Sequence, residues 1–278
     1  MSIPIGSHVS GNSVVKSVEE FGLTAIQVFS HGPRNSRANK LDRTMLKNMN
    51  KIFKCIHSSY PTVGIWNANK GKKEYYAKVL EDQFEACYDI GAIDLVVHLK
   101  KLSLNDVSEV IEILAPAINK ACKKYKTKIL FENAATKKGA GTYETPTKLG
   151  QFCSVIKNSS LDDTAWGICI DTAHLWSSGS DIQTRRKAKA WLDGFAFKSR
   201  IKLFHINGSQ RLLNSGVDKH AVCFAEDDNI WGEFKPADSG LVEFVKFARK
   251  FKVPIILEPK LIDPTDVHTA LKHIRKMK

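Results

Sequence analysis

Residues 166–174 read WGICIDTAH: an apolar run from Trp166 that stops on the carboxylate of Asp171 and then turns through Thr172 and Ala173 to His174. Short, near-continuous apolar runs fit strands buried on both faces of a parallel sheet. Seven more such runs occur along the chain. They are Ser2–His8 (SIPIGSH), Thr24–Ser30 (TAIQVFS), Lys51–His57 (KIFKCIH), Ala92–His98 (AIDLVVH), Thr127–Glu132 (TKILFE), Ile201–Ile206 (IKLFHI) and Val253–Glu258 (VPIILE). Helix-like stretches lie between them. In Lys70–Ile90 the residues Tyr76, Leu80, Phe84 and Cys87 recur at helical spacing, with Gly91 as C-cap; Asn105–Tyr125, Leu241–Phe251 and Asp263–Lys276 supply further helices. Eight strand-then-helix units predict an α/β fold, the (β/α)8 TIM barrel, for which about 250 residues is typical. Residues 1–278 are expected to form this one domain. A doubly wound open sheet is the alternative, but IGSHVSGN lacks the glycine spacing of a dinucleotide-binding turn.

Composition narrows the class of protein. With 43% hydrophobic and 26% charged residues the chain can bury an ordinary core, which excludes a disordered tail. The 42 Lys+Arg against 29 Asp+Glu give a formal charge of +13, which points to nucleic acid, an anionic membrane surface or an anionic metabolite. Charge alone does not choose among them. No apolar run approaches the roughly 20 residues that span a bilayer, and MSIPIGSHVSGN carries no signal-peptide pattern. An intracellular protein with no membrane partner is expected. Six scattered cysteines without a C-x-x-C pair read as reduced, buried thiols.

The chemistry is suggested by how the runs end. His8, His57, His98, Glu132, Asp171, His205 and Glu258 close seven of them, and His31 follows the remaining one. In a barrel the C-terminal strand ends surround one site, so these side chains would converge. A lone histidine beside a strand is usually a packing residue; a set of acids and histidines buried together needs a compensating cation. Asp171 and His174, and Asp218 and His220, add two closely spaced chelating pairs. Mixed His and carboxylate ligands without thiolate suit zinc or manganese in a catalytic site. The nine candidates are His57, His98, Glu132, Asp171, His174, His205, Asp218, His220 and Glu258. At about three protein ligands per catalytic ion they imply two or three ions, the usual equipment for displacement at phosphorus.

GSHVS, IHSSY, VVH, LFEN, GICIDTAH, FHIN with GVDKH, and IILE, in this order from Ile3 to Glu258, resemble the endonuclease IV family of apurinic/apyrimidinic (AP) nucleases. IDTAHLWSSG and QVFSHGPR resemble the branch found in large DNA viruses. The resemblance implies a zinc-dependent barrel that cuts the phosphodiester 5′ to an abasic site in duplex DNA, leaving a 3′-hydroxyl and a 5′-deoxyribose phosphate, in base excision repair. It implies three zinc ions. His57 and His98 would hold the first, Glu132 would bridge it to a second on Asp171, His205 and Glu258, and His174, Asp218 and His220 would hold the third. Glu132 is accordingly the catalytic candidate. Arg34 and Tyr60 correspond to residues that wedge into the stack when the lesion is extruded, and His8, Lys100, Lys137, Arg211 and Lys219 are the remaining DNA-contact candidates. A monomer is expected, in the nucleus, the cytoplasm or a virion.

The chain departs from the family pattern at three loops. Leu99-Lys100-Lys101 replaces Pro-Gly, Gly208 stands where Asp is common, and AVCFAEDDN after His220 replaces a shorter glycine-rich stretch. Lys123, Lys124, Lys126 and Lys128, before the fifth strand, and Arg249, Lys250 and Lys252, before the eighth, belong to the opposite barrel face, so the +13 overstates the DNA footprint. Two rival readings are a metal-dependent sugar isomerase or epimerase of the related barrel group, and a protein that binds abasic DNA without cutting it. The first needs fewer ligands than nine, and the second has no use for a complete set.

Overall fold

The computed structural model describes residues 2–31, 41–139, 141–258 and 264–277. Arg34 lies outside them, as does the side chain of Tyr60. All eight apolar runs form strands: β1 (Ile5–His8), β2 (Ala25–Phe29), β3 (Phe53–His57), β4 (Asp94–His98), β5 (Lys128–Glu132), β6 (Trp166–Asp171) and β7 (Ile201–His205), followed by a small hairpin of β8 (Gly208–Ser209) and β9 (His220–Ala221), then β10 (Ile255–Leu257). The hairpin is antiparallel and stands apart. The other eight strands pair in parallel and close a barrel in the order β1 to β7, then β10, then β1 again. This is the expected (β/α)8 barrel. Strands are shorter than the apolar runs where proline intervenes. Pro4 and Pro254 have no N–H for the ladder and stand just before β1 and β10, where their carbonyls still accept from Ile255 N and Phe204 N.

Nine helices lie among the described residues: α1 (Val14–Phe21), α2 (Arg43–Asn48), α3 (Lys73–Ile90), α4 (Leu104–Tyr125), α5 (Pro146–Lys157), α6 (Thr172–Ser177), α7 (Arg185–Gly194), α8 (Leu241–Phe251) and α9 (Pro264–Lys276). Tyr76, Leu80, Phe84 and Cys87 form the buried stripe of α3, which ends at Gly91 with φ +70°. The helix starts later than its pattern suggests because Gly71, at φ +81°, separates it from a 3-10 segment over Tyr60–Lys70. Trp66 anchors that segment, its indole N–H donating to the carbonyl of His98 at 2.8 Å. No helix among the described residues is long and apolar enough to cross a membrane. All six cysteines are free.

Strand alternation divides the core in two and raises the site above one part of it. Ile26, Ile56, Leu95, Val97, Ile129, Phe131, Ile168 and Ile170 belong to the large cluster shared with the helices. Ala25, Cys55, Val96, Leu130, Cys169, Leu203 and Ile256 form a separate cluster inside the barrel. Two residues further along each strand, on the same face, stand Gln27, His57, His98, Glu132, Asp171, His205 and Glu258. An apolar plug therefore carries a polar layer directly above it.

Candidate metal centre

The polar layer takes one inward side chain from each barrel strand, with His8 of β1 completing the ring. Glu132, Asp171 and His205 are fully buried, and His57 and His174 nearly so. Their ligand atoms gather in overlapping groups within 4.8 Å: His57, His98 and Glu132; Glu132, Asp171, His205 and Glu258; Asp171, His174 and His220. Asp218 Oδ1 joins the last group at 3.0 Å from His220 Nε2 and 3.5 Å from His174 Nε2. All nine residues named from the sequence thus meet. Glu132 belongs to two groups and Asp171 to two, so neighbouring groups share a carboxylate. Cys169 Sγ also lies within reach of Glu132 and His205, which strand alternation accounts for and motif reading did not.

Local structure aims these atoms. Asp171 ends β6 and caps α6, its Oδ1 accepting from His174 N at 2.8 Å. The other oxygen, Oδ2, is left facing the site, and the one-turn spacing brings His174 over it. Asn133 ties β5 to β6: its Oδ1 accepts from Asp171 N, its Nδ2 donates to Asp171 O, and its carbonyl takes the proton of His174 Nδ1 at 2.7 Å. Asn207 donates to Asp171 Oδ2 at 2.7 Å and to Glu258 Oε2 at 3.2 Å. The β8–β9 pairing sets Ser209 opposite His220 and so returns Asp218 and His220 to the barrel mouth. Asn133 and Asn207 are the asparagines of the LFEN and FHIN motifs. Their signal was a lone amide next to each strand-end ligand.

The donor set fits divalent cations. His57 Nδ1 donates to Ser58 O at 2.8 Å, which turns the Nε2 lone pair toward His98 Nε2 at 2.9 Å and Glu132 Oε2 at 3.3 Å. His98 Nε2 is 3.1 Å from the same oxygen. Glu132 Oε2 is buried and has no hydrogen-bond partner of good geometry among the described residues. Two imidazole nitrogens converging on a buried carboxylate oxygen that lacks a well-formed hydrogen bond is a poor arrangement for hydrogen bonding and a good one for a metal ion.

The electrostatics agree. Against burial, which would raise it, His98, His205 and His57 hold Glu132 well below the usual carboxylate range. Asp171 is raised by burial and by Glu132 and Glu258, against the pull of His174 and His220. Asp218, despite burial, is drawn far down by His174 and His220. His205, despite burial, is driven to about 9 by Glu258 and Glu132. The four carboxylates thus favour the protonated forms of His57, His174, His205 and His220. Divalent cations offset the same carboxylates more strongly and displace those protons.

The DNA-contact candidates surround this mouth. Lys100 follows β4 and donates to Asn67 Oδ1 at 3.1 Å; Lys137 follows β5, and Arg211 and Lys219 lie in the loop between β8 and β9, all exposed. Tyr60 opens the 3-10 segment just after β3. His8 sits inward beside Gln27, 3.1 Å from its Nε2, and burial pushes its pKa down to about 4. It is therefore a neutral hydrogen-bonding group near neutral pH. Two of the loop departures meet here. A Cβ on Gly208 would lie 2.5 Å from the carboxylate carbon of Asp228, which belongs to the AVCFAEDDN stretch and accepts from Ser209 N, Phe224 N and Ile230 N.

The profile of the xylose isomerase-like TIM barrel family matches residues 15–277. A probable endonuclease 4 of Thermosipho africanus is 30% identical over 289 aligned positions, covering 96% of this chain and 95% of that protein. A probable AP endonuclease of African swine fever virus (isolate Pig/Kenya/KEN-50/1950) is 29% identical, covering 91% and 84%. The crystal structure of AsfvAP:AG superimposes with a TM-score of 0.83 at 25% identity, covering 98% of this chain and 96% of that one. Matched over nearly its whole length, with the nine-residue centre at the C-terminal mouth of its strands, the chain belongs to the xylose isomerase-like TIM barrel family and, within it, to the endonuclease 4 group.

Proposed function

We propose that this protein is a zinc-dependent AP endonuclease that hydrolyses the phosphodiester 5′ to an abasic site in duplex DNA, as a step of base excision repair. The reading assigns three ions: one on His57, His98 and Glu132, one on Glu132, Asp171, His205 and Glu258, and one on His174, Asp218 and His220. The observation that carries it is the sharing of Glu132 and Asp171 between neighbouring groups, which supports adjacent ions rather than separate sites. When bound, such ions activate water, neutralise charge at phosphorus and steady the leaving oxygen. A sugar isomerase or epimerase on this fold has no need of so many ligands.

The chain's own residues supply the rest. Glu132 spans two groups and holds them in register, while Asn133 and Asn207 keep its neighbours oriented. Lys100, Lys137, Arg211 and Lys219 place positive charge around the mouth for phosphates. An abasic nucleotide has lost its base, so extruding it into a recessed site costs little stacking energy. Arg34 and Tyr60 are the proposed wedges for the gap, and His8 contacts the strand as a neutral donor. Residues 1–278 are taken to act as one barrel and a monomer, leaving a 3′-hydroxyl and a 5′-deoxyribose phosphate.

The test is a labelled duplex with one tetrahydrofuran lesion, incubated without added magnesium, before and after prolonged exposure to phenanthroline. Cleavage 5′ to the lesion that disappears on chelation and returns with zinc is expected. An uncut strand, or equal cutting after zinc removal, overturns the reading.

A further inference from the structure

Of the eight side chains in the polar layer, seven are His, Asp or Glu, and the eighth is Gln27. It is fully buried at the centre of β2. Its Nε2 donates to Glu258 Oε1 at 2.6 Å and to His8 Nδ1 at 3.1 Å. Its Oε1 accepts from His205 Nε2 at 2.8 Å and from Cys55 Sγ at 3.4 Å. The orientation of the amide is forced, since only the oxygen can serve two donors and only the nitrogen can face a carboxylate.

We propose that Gln27 is a positioning residue for the ion held by Glu132, Asp171, His205 and Glu258, and that it makes Nδ1 the ligating nitrogen of His205. The inference rests on the metal-dependent reading of the centre. Among the imidazoles of the centre, His57 and His174 present Nε2, because the main-chain carbonyls of Ser58 and Asn133 take their Nδ1 protons. His205 is reversed. Its Nε2 proton goes to a side chain, Gln27, and its Nδ1 faces Glu132 Oε1 at 2.9 Å and Glu258 Oε2 at 3.2 Å. Gln27 also engages Glu258 Oε1, leaving Oε2 as the inward oxygen. One neutral amide therefore orients two ligands of one ion and does not compete with that ion as an eighth ionisable side chain in the layer could. A side chain serving only to fill space there would be apolar, like Ala25 and Cys55 below it, because a buried amide is costly without partners. Polar groups that orient metal ligands from behind change affinity by about 10–100-fold when removed.

The experiment uses the full chain with zinc, then cadmium, as the probe. Zinc retained against graded chelators is measured by mass spectrometry for wild type, Gln27→Met and Gln27→Glu, with circular dichroism to check folding. In 113Cd-loaded protein labelled with 15N-histidine, metal–nitrogen couplings identify the ligating nitrogen of His205. Wild type is expected to show coupling at His205 Nδ1 with a proton on Nε2. Gln27→Met should hold one zinc equivalent about 10–100-fold more weakly and lose or transfer that coupling. Gln27→Glu keeps the acceptor and should keep the coupling at Nδ1. Wild-type coupling at Nε2, or a folded Gln27→Met variant with unchanged zinc affinity and coupling, overturns the inference while the metal-dependent reading stands. A wild-type protein that binds no metal overturns both. The wild-type spectrum alone decides the matter if Gln27→Met does not fold.

Discussion

At the scale of single residues, Glu132 brings the most candidate ligands together. It ends β5, is fully buried, and faces His57, His98, His174 and His205 within 3.4 Å. Replacing it with Gln preserves the volume and removes the charge that two ligand groups share. Glu132→Gln should lower cleavage of an abasic duplex by more than roughly a hundredfold, given that even indirect supports of a metal ion shift affinity by about 10–100-fold, while lesion binding measured by gel shift is retained. Wild-type cleavage in that variant would remove Glu132 from its bridging role. Candidate ligands of this kind were legible in the sequence because acids and histidines end nearly every apolar run, a repetition that packing roles for single residues do not explain. Gln27 was not legible. It lies in the middle of TAIQVFS, and only the closed barrel shows that this middle position belongs to the same layer as the strand ends.

At the scale of elements, the hairpin and the loop after it depend on each other. Gly208 has no side chain, and the carboxylate of Asp228 fills the space a side chain would take, accepting three main-chain N–H groups there. Burial raises Asp228 to about 6, so a second carboxylate beside it would be poorly tolerated. Two departures from the resembled family pattern, a missing Asp and an added acidic stretch, thereby become one compensated change. Gly208→Asp should destabilise the protein by about 3 kcal/mol through overpacking. Joining it with Asp228→Gly should recover part of the loss, with a coupling energy of about 1–3 kcal/mol in a urea double-mutant cycle. Strict additivity would show the two positions to be independent. The sequence marked both sites as unusual but could not pair them, since they lie 20 positions apart with a hairpin between them.

At the scale of the whole molecule, charge is divided by the barrel axis. Lys100, Lys137, Arg211 and Lys219 lie in loops after strands, on the face that carries the metal centre; Lys123, Lys124 and Lys126 lie at the end of α4 and before β5, on the other face. If the first group meets phosphate, each alanine substitution that removes a contact should reduce the slope of log K against log salt by about 0.9, measured by fluorescence anisotropy on a lesion duplex. The triple substitution at Lys123, Lys124 and Lys126 should leave the slope unchanged. Equal effects from the two faces would mean that the net charge acts as a diffuse field rather than through an oriented surface.

The sequence by itself determined the barrel, because eight apolar runs separated by amphipathic stretches have few other ways to bury themselves, and it determined the ligand types, because ionisable groups at strand ends must meet in that fold. Tertiary structure decided what periodicity cannot carry: which candidate ligand groups share a carboxylate, which nitrogen of His57, His174 and His205 is turned inward, that Gln27 lies against His205 and Glu258, and that Asp228 braces the hairpin. Those outcomes depend on contacts across the barrel, between residues as far apart as Gln27 and Glu258. Such contacts exist only once all eight strands have closed.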